Sequence, residues 1–234
     1  MNEIISNVQK VREKIAEAAM KSGRRAEDII LVAATKMNDA ERVRAAISAG
    51  VDVAGENRVQ ELMDKFDQNA YEGAPLHFIG NLQTNKVKYL IGKVALIQSV
   101  DSIKLAREIG RLAVKAGIVQ DILIEINIGG EESKGGIEPD EIYGFIDEIL
   151  QIEGVFVRGL MTIPPILGAD NKNIAYFEKM HELFIDIKSK KYDNISMDFL
   201  SMGMSDDYYD AILHGANMVR VGTGIFGRRN YAQI

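Results

Sequence analysis

The chain reads as an α/β protein, a single (β/α)8 TIM barrel preceded by an extra N-terminal helix. Three observations carry that reading. Short β-branched or apolar runs alternate with longer segments of helical period, the sequence form of repeated βα units on a parallel sheet. The runs number eight, with seven helical segments between them and no Pro- or Gly-rich linker. The first run ends Ala33-Ala34-Thr35-Lys36, without the glycine-rich phosphate turn that follows the first strand of most doubly wound sheets. Single barrels run to about 200–250 residues, so the 234 residues are expected to form one unit over 1–234.

The elements follow in order. Ile4, Val8, Val11 and Ile15 recur at helical spacing among Glu13, Lys14 and Glu17, which makes the N-terminus an amphipathic helix and not the continuous apolar core of a signal peptide. Strands are expected at 29–35, 52–57, 76–80, 95–100, 122–128, 157–162, 199–203 and 218–223. Helices are expected at 39–49, 58–68, 83–91, 102–116, 138–150, 172–190 and 205–214. Gly50, Gly92, Gly117 and Gly154 stand where helices should stop, and Asp101 and Ser205 fit N-caps.

Composition excludes several classes of function. With 28 Lys+Arg against 34 Asp+Glu, a net charge of −6 and no basic run, the chain lacks the clustered cations that neutralise nucleic-acid phosphates. Zero Cys removes disulfides, thiolate metal sites and a Cys nucleophile, and His77, His181 and His214 lack the spacing of a metal-binding pair. No apolar stretch approaches a membrane span of about 18 residues. The expected compartment is the cytoplasm.

In a barrel the reactive groups project from the C-terminal ends of the strands. Here those ends are polar: Lys36, Glu56-Asn57, Asn127, Ser201 before Gly203, and Arg220 before Gly222-Thr223-Gly224. Lys36 shares its face with Val32 and Ala34 by period-two alternation. If that face is the lumen, desolvation or a neighbouring cation would favour a neutral amine able to attack a carbonyl; position alone also allows a solvated lysine. Arg220 lies mid-strand among apolar residues and cannot shed its charge, so it needs a carboxylate, a phosphate or a ring nitrogen. A structural ion pair with an acid would serve as well. Gly222-Thr223-Gly224 and Ser201 to Gly203 end strands eight and seven, the usual places for phosphate in barrels. Ser205-Asp206-Asp207 reads as a helix start, because its carboxylates would repel an anion. Glu131, Glu132 and Lys134 read as a solvated loop, and the three histidines as packing or surface residues.

The motifs AATK (33–36), GENRVQE (55–61), HFIGNLQTNK (77–86), SVDS (99–102), SKGGI (133–137), GLMTIP (159–164), LSMGMSDD (200–207) and VRVGTGIFG (219–227) appear together and in order. By them the chain resembles the pyridoxal phosphate homeostasis proteins, the YggS/PROSC-like family, which look like the barrel of alanine racemase and other fold-type III enzymes without the second domain. The resemblance implies that Lys36 carries pyridoxal 5′-phosphate as an internal aldimine, that Ser201, Gly222, Thr223 and Gly224 hold its phosphate, that Arg220 faces the pyridine nitrogen and that Asn57 borders the ring. Met37-Asn38-Asp39 stands where many relatives carry a basic or Pro-containing turn, so the first loop is expected to differ in shape.

The resemblance further implies a carrier and not an enzyme. The racemase arrangement takes a second base from another domain or subunit, and 234 residues are expected to leave no room for that domain. An arginine at the pyridine nitrogen disfavours its protonation and weakens the electron sink. The expected function is cofactor homeostasis, with exchange to amino acids or transiently bound apoenzymes, by a monomer or weak homodimer. A racemase-like enzyme and a cofactor-free Schiff-base aldolase are the alternatives.

Overall fold

The computed structural model describes residues 1–131, 135–165 and 173–227. Eight parallel strands close into a barrel in chain order: β1 (Ile30–Ala34), β2 (Val53–Glu56), β3 (Leu76–Phe78), β4 (Leu96–Val100), β5 (Gln120–Ile126), β6 (Val155–Thr162), β7 (Ile195–Ser201) and β8 (Met218–Val221). The helices among the described residues are α1 (Asn2–Lys21), α2 (Ala40–Ser48), α3 (Val59–Phe66), α4 (Ile103–Lys115), α5 (Ile142–Ile149), α6 (Ile174–Lys190), α7 (Tyr208–Leu213) and α8 (Thr223–Phe226). The barrel and the extra N-terminal helix therefore stand as the sequence predicts.

Period-two alternation sorts the strand residues into two cores. Val32, Val53, Ile79, Leu96, Leu123, Met161 and Met218 fill the lumen. Their neighbours, such as Leu31, Ala33, Ala54, Ile97, Ile122 and Ile124, face the helices. Gly55 is small because a Cβ there would stand 2.7 Å from Val32 Cγ1 and 2.9 Å from Ile79 Cδ1 inside the lumen. Helix α8 has a single turn, and α1 packs beside it against α7 and α2, burying Ile4, Val8, Val11 and Ile15. Each such aliphatic side chain contributes about 1.5–3 kcal/mol by leaving water. At the N-terminal end of the barrel Arg158 pairs with Asp198 at 2.8 Å and Asp121 at 3.4 Å. The opposite end, where the strands terminate, is the mouth at which barrels carry their sites.

The glycine stops are confirmed: Gly50, Gly92, Gly117 and Gly154 all have positive φ, which only glycine adopts freely. Other expectations shift. Residues 84–89 form a 3-10 helix and not an α-helix, as suits so short a connection. The N-cap of α4 is Ser102, whose hydroxyl accepts from Leu105 N–H, and not Asp101. Helix α7 starts at Tyr208 after Asp207, so Ser205 is no N-cap. Glu132 and Lys134, read as loop residues, and the start of the 172–190 segment lie outside the described residues. No helix among the described residues is long and apolar enough to cross a membrane.

Candidate functional site

The register of β8 on β1 sets the floor of the mouth. Arg220 pairs with Val32 and therefore lies in the lumen, with Gly222 above it beside Ala34. Lys36 follows two residues after Ala34, in the turn that leaves β1, and is exposed. Val32 and Ala34 line the lumen as the alternation predicts, while Lys36, in the turn beyond the strand, is exposed and not buried. Asn57, the residue after β2, is half-buried, and its Oδ1 has no partner among the described residues.

Arg220 is 4% exposed. Burial brings its pKa down to about 10, opposed by the charges of Glu125 and Asp207, so it remains a cation at neutral pH. No carboxylate among the described residues lies within ion-pair distance of it. Neutral acceptors hold it instead: Nη1 donates to Ser201 Oγ at 2.6 Å and Nη2 to the Thr162 carbonyl at 2.8 Å. The Ser201 hydroxyl donates to Gln98 Oε1 at 2.7 Å, and Gln98 Nε2 lies 3.0 Å from His77 Nδ1. Burial pushes the His77 imidazole down to about 4, so it is neutral and Nδ1 is the acceptor. These buried groups form one directed chain across the lumen from Arg220 to His77.

This gives Ser201 a different neighbour from the phosphate expected of it. Its single proton is held by Gln98, and the residue is fully buried beneath the mouth. The hydroxyl that meets the glycine turn is that of Ser205, which accepts from Gly222 N–H and Gly224 N–H at 3.2 Å each. Asp207, beside it, is turned to Met204 N–H and Asn173 Nδ2. Thr223 is exposed at the same turn. A Cβ on Gly222 would meet only Ala34, at 3.5 Å and beyond, so packing does not require a glycine there; its absence leaves space at the mouth.

Behind Lys36 lies a second buried network, on the helix side of β1 and β2. The Glu56 carboxylate, fully buried, accepts from Thr35 Oγ1 at 2.8 Å and pairs with Lys65 Nζ at 2.7 Å. Lys65, on α3, is itself 6% exposed. Its ammonium also donates to the Thr35 carbonyl at 2.8 Å. Tyr71 OH donates to the same carboxylate at 3.3 Å, and burial beside that charge pushes the phenol's pKa up.

Two polar strand ends serve structure. Glu56 faces the helices. Asn127 ties its own loop, donating to Glu131 O and Glu138 Oε1. Glu125 is a residue that sequence reading passed over: it follows Leu123 on the lumenal face of β5, and burial, reinforced by the charge of Asp101, raises its pKa to about 7. An acid at an alternate position of an apolar strand was the signal that could have found it. His181 packs on Gly215, and His214 lies 3.4 Å from Glu178, away from the mouth. Among the described residues no group of His, Asp and Glu could hold a metal ion.

Residues 2–230 match the family described as the alanine racemase N-terminal domain. The chain is 45% identical to the pyridoxal phosphate homeostasis protein of Aquifex aeolicus over 96% of this chain and 97% of that one. It is 35% identical to the protein of the same name from Escherichia coli over the full length of both. These relatives are named for cofactor homeostasis and not for a reaction. Among solved structures, PipY of Synechococcus elongatus with PLP bound is 30% identical, with a TM-score of 0.77 over 91% of this chain and all of that one. An alanine racemase of Clostridium difficile shares the fold, with a TM-score of 0.67 at 17% identity, over 98% of this chain and 58% of that one.

Proposed function

Because the chain belongs to the alanine racemase N-terminal domain family, and within it to the pyridoxal phosphate homeostasis proteins, we propose that it binds pyridoxal 5′-phosphate at the barrel mouth and serves as a carrier of that cofactor. The observation that carries this reading is Arg220, a buried cation held, among the described residues, only by neutral acceptors below an exposed lysine. A guanidinium so placed has N–H donors left for a further acceptor, and a pyridine nitrogen is one. Asn57 Oδ1, without a partner among the described residues, and the open space at Gly222 support the fit.

Each residue then has a role. Lys36 would hold the cofactor through its amine, the nucleophile suited to an aldehyde. Arg220 donates to the ring nitrogen, and Ser201 fixes the direction of that donation. Asn57 borders the ring. Gly222, Thr223 and Gly224 would form the phosphate turn: the Gly222 and Gly224 N–H groups, which donate to Ser205 Oγ here, would turn to a phosphate oxygen in its place, and Thr223 would add a hydroxyl. Bound pyridoxal phosphate supplies a carbonyl equivalent and an electron-withdrawing ring. With Arg220 a cation at neutral pH, a ring nitrogen accepting from it would stay unprotonated and the electron sink would be weak. That favours storage and exchange over turnover. One barrel over 1–234 in the cytoplasm, a monomer or weak homodimer, handing cofactor to amino acids or transient apoenzymes, completes the reading.

Titration of the purified protein with pyridoxal phosphate tests it. A visible absorbance band from lysine-bound cofactor is expected in the wild type and absent in Lys36→Ala. No band in the wild type at saturation sinks the reading. Sustained exchange of the α-hydrogen of L-alanine in deuterated water would reject the carrier in favour of a racemase.

A further inference from the structure

Helix α3 grips the lysine's turn from both sides. The carbonyl that precedes Lys36, that of Thr35, accepts from Lys65 Nζ at 2.8 Å; the N–H that follows it, that of Met37, donates to Glu61 Oε2 at 2.6 Å. Glu61 and Lys65 are four residues apart on one face of the helix, 3.4 Å from each other, and Glu56 fixes Lys65 from below at 2.7 Å. Met37 itself has φ 59, a left-handed conformation that a non-glycine residue keeps only when its surroundings hold it. The contact to Glu61 is such a hold. Lys36 is exposed, so its amine owes its position to the peptides on either side.

We propose that Glu61 and Lys65 are positioning residues for Lys36: they fix the root of its side chain so that Nζ reaches the cofactor's carbonyl. The proposal rests on the covalent role assigned to Lys36 above. Glu61 acts on Lys36 through the Met37 backbone. Displacement of a reacting group by about 1 Å can cost up to 10²-fold in rate, and a turn freed on one side gives the amine that latitude.

Two conservative variants of the full chain separate positioning from charge balance. Glu61→Gln keeps a carbonyl at the same reach for Met37 N–H but loses the charge facing Lys65. Glu61→Asp keeps the charge but is one methylene too short. The readouts are the second-order rate of pyridoxal phosphate attachment and, on the cofactor-free protein, hydrogen exchange of the Met37 amide. Positioning predicts attachment slowed about tenfold and faster Met37 exchange in Glu61→Asp, with both within about twofold of wild type in Glu61→Gln. Any other ordering overturns the proposal, including Glu61→Gln impaired with Glu61→Asp normal, which would assign Glu61 to charge balance alone. If the wild type itself attaches no cofactor at Lys36, the proposed function fails, and the exchange data still decide whether Glu61 holds the turn.

Discussion

The two groups proposed to hold the cofactor from beneath and from the rim are anchored by opposite means. On the β1–β2 side, full charges lie behind Lys36: Glu56 and Lys65 pair at 2.7 Å and grip its backbone. On the β7–β8 side, Arg220 rests on neutral partners, Ser201 and the Thr162 carbonyl, continued through Gln98 to His77. The difference follows from what each group must keep free. Lys36 needs an unencumbered amine, so the ion pair acts on the peptides around it. Arg220 needs an unspent charge, so its supports orient the guanidinium without neutralising it, and a ligand can supply the remaining acceptor.

Removing one member from each side sharpens the contrast most. Glu56→Ala strands the buried Lys65 ammonium and should cost about 3–5 kcal/mol in chemical denaturation, toward the lower end because Glu61 lies 3.4 Å away. Arg220→Met removes a buried cation that has no ion-pair partner among the described residues and should cost less than Glu56→Ala, the loss being that of its hydrogen bonds to Ser201 and the Thr162 carbonyl, while pyridoxal phosphate retention collapses. Equal destabilisation by the two substitutions would break the comparison.

Next in size is the response to pH. His77 is depressed to about 4, so the stability it contributes is full above the ordinary histidine value and is lost as pH falls toward 4, roughly 3 kcal/mol in all. Glu125 is raised to about 7, so its contribution is full below the ordinary carboxylate value and is lost as pH rises through 7, again roughly 3 kcal/mol. Between pH 4.5 and 6.5 the two slopes oppose each other. Denaturation across that window should therefore be nearly flat in the wild type, rise with pH in Glu125→Gln and fall with pH in His77→Gln. Parallel profiles in all three proteins would contradict the buried, neutral His77 on which the Arg220 chain ends.

Gly222→Ala should have the smallest effect on the fold. Its φ of −109° suits any residue, and the new Cβ would make only an ordinary contact with Ala34. Stability should change by less than about 0.5 kcal/mol, yet the methyl group fills the mouth, so cofactor affinity should drop. A loss of stability with affinity intact would mean that the glycine serves the barrel and not a ligand.

What the sequence made legible was periodic or local. Alternation placed Val32, Ala34 and Lys36 on one face, an arginine amid an apolar strand marked Arg220 as a group in need of a partner, and glycines marked helix ends because each needed a positive φ at one position. What it missed depends on distant partners. Ser205 looks like an N-cap because a serine before two acids fits one, but its hydroxyl meets N–H groups 17 and 19 residues on. Lys65 reads as one more charged residue on a helix; only the packing of α3 across β1 and β2 shows that its ammonium is buried against Glu56 and Thr35. Glu125 acquires meaning only from closure of the barrel, which brings it within range of Arg220 and Asp101.

Borohydride reduction of the pyridoxal phosphate complex followed by peptide mass mapping tests whether Lys36 is the covalent anchor of the cofactor in this barrel. One phosphopyridoxyl adduct is expected, on the peptide that contains Lys36. An adduct on Lys65, Lys86 or any other lysine, with Lys36 unmodified, would contradict it.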